Sequence, residues 1–121
     1  MKNKFTFKKR VGSLLYALKG LKIVFSTQPN AWIHSTALII VVVAGFAFHL
    51  DFHEWIAITF AAGLVFVAEI INTSIEFLTD NMFPEYHEQA AKIKDTAAAA
   101  ALVAAMVSVI VAAFVFIPKF W

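Results

Sequence analysis

WIAITFAAGLVFVAEIINTSIEFLTD, residues 55–80, decides how this chain must be housed. Positions 55–68 carry no charge and read as a membrane-crossing helix. The same run then admits Glu69, Asn72, Thr73, Glu76 and Asp80. A helical residue advances about 100 degrees, which places Asn72 at roughly −60, Thr73 at +40, Glu76 at −20 and Asp80 at +20 degrees from Glu69. All five share one narrow face. At a rise of about 1.5 Å per residue Glu69 lies roughly 21 Å along the helix from Trp55, some 9 Å short of the far edge of a core about 30 Å thick. Glu76 then falls near that edge and Asp80 beyond it.

Composition agrees with a membrane setting. The chain has 121 residues, 61% of them hydrophobic, with a mean hydropathy of +0.78. A soluble domain is about 45–50% apolar, and one this small could not enclose the excess. The expectation is one all-α integral membrane domain. With no cysteine, disulfides, thiolate metal ligands and thiol nucleophiles are excluded. Of the ten Lys and Arg residues, seven lie in the first 22 positions: Lys2, Lys4, Lys8, Lys9, Arg10, Lys19 and Lys22. Lys19 and Lys22 interrupt any apolar signal core and no small-residue cleavage pattern follows, so the segment is expected to belong to the mature fold.

Val11, Leu14, Leu15, Leu18, Leu21 and Phe25 recur at three- and four-residue steps, the pattern of an amphipathic helix. Residues 1–28 are expected as that helix and a turn, lying in the interface with cations toward anionic head groups; packing of its apolar stripe on the protein itself is the plainer alternative. No nucleic-acid partner is expected. Spanning helices are expected at 32–50, 55–82 and 97–117, with a tight turn at 51–54 and a polar loop at 81–96. The basic N-terminus, Lys92 and Lys94 place the N-terminus and that loop in the cytoplasm, and the 51–54 turn and C-terminus outside. Trp32, Trp55 and Trp121 are expected as interfacial anchors, and His34, His49 and His53 as interfacial or solvated side chains. The alanine run at 97–101 suits close helix packing.

An ionisable group at the depth of Glu69 costs at least about 2–3 kcal/mol, so it should face a bundle interior, a partner or water. Three spans make a thin bundle, which favours self-association. A polar clamp between helices would need one or two such groups; five on one face, with no matching basic stripe, suggest a bound cation. Oxygen ligands alone favour a hard ion such as Mg²⁺. Glu85, His87, Lys92, Lys94 and Asp95 gather on the cytoplasmic side, with Lys94 and Asp95 expected just before a helix N-terminus suited to phosphate. Metal ligands, a cation for phosphates and a candidate base are the parts of a phosphoryl-transfer site. No Walker A sequence, Gly-rich loop or kinase catalytic-loop motif is present.

The segments AEIINTSIEFLTD (68–80) and EYHEQAAKIKDTAAAAALVAA (85–105) resemble the signature of the bacterial diacylglycerol kinase and undecaprenol kinase family. YALKGLK at 16–22 and N-x-x-I-H at 30–34 extend the likeness. It implies an amphipathic surface helix plus three transmembrane helices, assembled as a homotrimer with active sites shared between subunits. It implies an ATP- and Mg²⁺-dependent lipid kinase of the bacterial cytoplasmic membrane, transferring the γ-phosphoryl group to diacylglycerol or undecaprenol. Glu69 matches the catalytic base that meets the lipid hydroxyl, and Glu76 a Mg²⁺ ligand. Asn72, Asp80, Lys94 and Asp95 match positions around the nucleotide phosphates, Glu85 and His87 positions beside the nucleoside, and Lys9 and Tyr16 the surface-helix side of the ATP site. Gln28 stands where many members carry a second metal-binding glutamate, and Trp32 where many carry a basic residue. An amide lacks the charge of a carboxylate and is the weaker Mg²⁺ ligand. The rival reading is a non-catalytic membrane protein whose acidic stripe serves as a trimer clamp or a cation-binding site.

Overall fold

The computed structural model describes residues 6–120; Lys2, Lys4 and Trp121 lie outside the described residues. Four α-helices follow one another: α1 Phe7–Thr27, α2 Pro29–Ala47, α3 Phe52–Met82 and α4 Glu88–Phe116, closed by a 3₁₀ turn Ile117–Phe120. The last three are long and apolar enough to cross a membrane. Phe60, Ile39 and Phe114 point outward, and such exposure of large apolar side chains is stable only where the surrounding solvent is hydrocarbon.

Thr6 caps α1 through its hydroxyl, which accepts from the Lys9 amide at 3.3 Å. The apolar stripe of α1 is left uncovered by the rest of the chain: Leu14, Leu15 and Leu18 are exposed, and Val24 is the one buried residue of the helix. The expected turn around residues 26–30 is shorter than its composition suggests. A single residue, Gln28, is extended (φ −116°, ψ 107°), and Pro29 opens α2. The residue before a proline is pushed out of the helical region, while proline itself suits a first helical turn. Trp32 fixes this elbow by donating from Nε1 to the Phe25 carbonyl at 2.7 Å, with the two rings edge to face.

Helix α2 ends in a Schellman turn. The Leu50 amide donates to the Gly45 carbonyl at 3.0 Å and the His49 amide to Phe46 at 3.3 Å. His49 occupies the left-handed position with φ 55°, a conformation that favours glycine. His49→Gly is therefore expected to raise stability by up to about 1 kcal/mol, read as a higher denaturation midpoint in detergent. Asp51 then caps α3 in a reciprocal pair with Glu54, its Oδ1 accepting from the Glu54 amide at 2.9 Å. That bond holds the Asp51 carboxyl below the usual carboxylate range.

Helix α3 packs chiefly on α4 and less extensively on α2. Leu50, Ile58 and Val115 form the buried cluster, closed by Val41, Trp55, Val111 and Phe116. Trp55 is thus half-buried at the start of α3, its ring packed on this cluster. Glu54 also receives Lys119 Nζ at 2.9 Å, which joins the start of α3 to the end of the chain and puts the 51–54 turn and the C-terminal segment at the same end of the bundle.

Helix α4 begins at Glu88, nine residues before the expected span. Pro84 lies in the short loop, and His87 caps the helix through Nδ1, which accepts from the Gln89 amide at 3.0 Å. The following QAAKIKD contains only residues that tolerate a helix, so nothing delays its start. Lys94 and Asp95 therefore sit inside α4, about two turns in, and the expected helix N-terminus at that point is absent.

Candidate active site

The acidic face of α3 turns inward. Glu69 is 3% exposed, and Asn72, Thr73 and Thr79 are also buried. Thr73 returns its hydroxyl to the Glu69 carbonyl at 2.8 Å and Thr79 to the Ile75 carbonyl at 2.7 Å, so neither hydroxyl is orphaned. The Glu69 carboxylate instead meets α2. Asn30 Nδ2 donates to Oε1 at 3.5 Å, and His34 Nε2 faces Oε2 at 3.8 Å.

One turn onward, Asn72 Nδ2 donates to Glu76 Oε1 at 3.2 Å. The amide oxygen of Asn72 is buried with no hydrogen-bond partner. Such a group costs about 1–3 kcal/mol unless something accepts its lone pairs. Further along, Lys94 of α4 donates to Asp80 Oδ1 at 2.8 Å and also feels the Glu76 carboxylate. An ammonium carries three N–H donors, and Asp80 takes one. The face therefore grades from a buried carboxyl group, through a neutral amide and a half-buried carboxylate, to an exposed ion pair.

Glu69, Asn72, Glu76, Asp80 and Lys94 are brought together. The other expected site residues are not. Among the described residues no hydrogen bond or ion pair joins Gln28 to Glu76; Gln28 sits at the α1–α2 elbow, its backbone N–H donating to the Val24 carbonyl. Lys9 and Tyr16 lie on the exposed length of α1, with Tyr16 73% exposed and Lys19 Nζ 5.3 Å from its ring centroid. Glu85 is exposed in the loop, His87 is engaged as a cap beside Phe83, and Asp95 faces outward on α4. No group of three His, Cys, Asp or Glu side chains is assembled for a metal among the described residues.

Two participants escaped the sequence analysis. Asn30 opens the N-x-x-I-H motif, to which the sequence assigns no role, and His34 reads there as an interfacial side chain. Their signal is the i, i+4 spacing of two polar side chains at the start of an apolar helix, which puts both on one face. His34 also closes the polar end of an apolar groove of roughly 170 Å³ between α2, α3 and α4, lined by Leu38, Val41, Ile58, Val65 and Val109.

Residues 15–116 match the sequence model of the family described as prokaryotic diacylglycerol kinase. The chain belongs to the prokaryotic diacylglycerol kinase family. It is 34% identical over 107 residues to an undecaprenol kinase of Bacillus subtilis, covering 88% of this chain and 87% of that protein. A diacylglycerol kinase of Synechocystis is 35% identical over 107 residues, spanning 88% of this chain and 61% of the relative. A diacylglycerol kinase of Escherichia coli is 30% identical over 95 residues, covering 78% of each. Membership makes this protein a lipid kinase, and its three apolar helices make it a membrane protein.

Proposed function

We propose that the chain transfers the γ-phosphoryl group of ATP to the hydroxyl of a membrane lipid alcohol, diacylglycerol or undecaprenol, at the cytoplasmic face of a bacterial inner membrane. The observation that carries this reading is the single face of α3 on which buried Glu69 precedes the Asn72–Glu76 pair and the Asp80–Lys94 pair. Each group has a task there. Glu69 takes the proton of the acceptor hydroxyl as its oxygen attacks the γ-phosphorus, and ADP leaves with the electrons of the broken P–O bond. Lys94 offers its remaining donors to phosphate oxygens, with Asp80 holding it in place.

The donor set suits Mg²⁺. Glu76 and the unpartnered Asn72 oxygen are hard oxygen ligands one helical turn apart, and Mg²⁺ commonly takes few protein ligands beside water and phosphate. Bound there, the ion would neutralise charge on the transferring phosphoryl group. Gln28 is the doubtful ligand. Gln28→Glu is expected to lower the half-saturating Mg²⁺ concentration several-fold, measured by calorimetric titration in the presence of ADP and by activity. An unchanged affinity means the elbow does not reach the metal.

Lys9, Tyr16, Glu85, His87 and Asp95 enter the ATP site in a homotrimer, where a neighbouring subunit's α1 or loop meets the α3 face. The uncovered stripe of α1 and the outward apolar faces leave room for both lipid and neighbouring subunits. The N-terminus and the 81–96 segment, with Lys92 and Lys94, face the cytoplasm, following the excess of Lys and Arg on that side. The deciding experiment expresses wild type, Glu69→Gln and Glu76→Gln in membranes, supplies radiolabelled ATP and separates the lipids. Wild type yields a labelled phospholipid or polyprenyl phosphate that both variants lack, and its chromatographic identity names the acceptor. Absence of label with wild type removes the proposal.

A further inference from the structure

The reading of Glu69 as the base leaves its proton without a destination. Glu69 must be ionised again before the next turnover, yet its side chain is 4% exposed, while that of His34 is 24% exposed. We propose that His34 receives the proton from Glu69 and delivers it to the head-group layer, with Asn30 fixing the carboxylate so that one oxygen faces the imidazole. This inference rests on the reading of Glu69 as the base.

Three observations converge on it. First, the two carboxylate oxygens are divided: Asn30 holds Oε1 at 3.5 Å and His34 Nε2 stands 3.8 Å from Oε2. Catalytic hydrogen bonds are often long before substrate binds, and a small side-chain movement brings this pair within the usual 2.6–3.2 Å range. Second, the imidazole has a ring neighbour on α3. Phe66 stands edge to face with it, centroids 6.3 Å apart, and Ser108 of α4 lines the same groove. Ser108 donates its hydroxyl to the Ala105 carbonyl. Among the described residues Glu69 is the one charged group paired with His34; Phe66 on α3 meets its ring and Ser108 on α4 lines the same groove, and neither titrates. Third, His34 lies six residues into α2, about 8 Å from the elbow, a depth that head-group water reaches.

The step balances. The O–H bond of protonated Glu69 breaks and an N–H bond forms at Nε2, leaving a carboxylate and an imidazolium. The imidazolium then releases a proton to water and returns to the neutral base. His34 acts through Glu69 and is a positioning residue, not a group that touches the reacting atoms.

The test uses the full chain in mixed micelles with ATP and a lipid alcohol, comparing wild type, His34→Ala, His34→Gln and Glu69→Gln. Both His34 variants are expected to lose roughly tenfold or more in kcat with the KM for ATP unchanged. Added imidazole restores the alanine variant and neither of the others. The acid limb of the wild-type pH–rate profile is expected to shift in His34→Gln. If the alanine variant does not fold, this shift in His34→Gln decides the matter. A glutamine variant at wild-type rate, or a folded alanine variant indifferent to imidazole, overturns the relay. With wild type active and Glu69→Gln inactive, such results remove the relay alone. A wild type that phosphorylates no lipid alcohol removes the base itself.

Discussion

Glu69→Gln is expected to reduce lipid phosphorylation by about a hundred- to ten-thousand-fold, the usual contribution of a positioned general base. Glutamine has the shape of glutamate, and its amide oxygen still accepts from Asn30 Nδ2, so the α2–α3 contact survives. What disappears is the ability to take a proton. The loss should fall on kcat, leaving the KM for ATP within a few-fold, because the nucleotide is assigned to groups farther along the helix. Stability gives an independent readout. Burying a charge in a membrane helix costs at least about 2–3 kcal/mol, so replacing it with a neutral amide should leave the fold as stable or more so. A clamp predicts the reverse: Glu69→Gln would loosen the assembly and leave no lipid activity to lose. Measuring kcat and the denaturation midpoint on one preparation separates the two.

The second large effect lies at the opposite end of the bundle. Gly45→Ala is expected to destabilise the protein, although alanine is favoured over glycine in a helix by about 1 kcal/mol. A Cβ at Gly45 would stand 2.5 Å from Cη2 of Trp55, 3.0 Å from its Cζ2 and 3.0 Å from Cδ1 of Leu50. Trp55 cannot swing clear easily, since Phe46 packs on its ring at 4.9 Å. Leu50 is held over Gly45 by the Schellman bond. Overpacking of a core usually costs about 1–3 kcal/mol, which exceeds the propensity gain, and Gly45→Leu should cost more than alanine. The measurement is the denaturation midpoint in detergent. The offending atoms belong to the six-membered ring of the indole, so Trp55→Phe should relieve the clash. A double-mutant cycle of Gly45→Ala with Trp55→Phe is expected to show favourable coupling. Simple additivity would mean that the two helices part without strain.

Lys94 and Asp80 illustrate where local pattern and long-range contact diverge. Asp80 belongs to the α3 stripe by helical spacing alone, so its face was legible. The start of α4 was not, because QAAKIKD is polar enough to read as a loop yet composed of residues that accept a helix. Only the cap at His87 shows where the helix opens. Once that helix is in place, Lys94 reaches Asp80 across fourteen residues of chain, which no spacing rule predicts.

By itself the sequence determined that this is a membrane protein with three apolar helices, and that Glu69, Asn72, Thr73, Glu76 and Asp80 share one face of the second. Those facts depend on hydropathy and on the angular period of the helix, both of which are local. Tertiary structure alone decided what that face meets. Asn30 and His34 lie far from Glu69 in the chain, and their alignment with it depends on the one-residue elbow at Gln28 and the packing of α2 on α3. Histidine and asparagine near the head of a spanning helix are equally suited to the interface, so nothing local could tell a residue bathed by head groups from one turned onto a buried carboxylate.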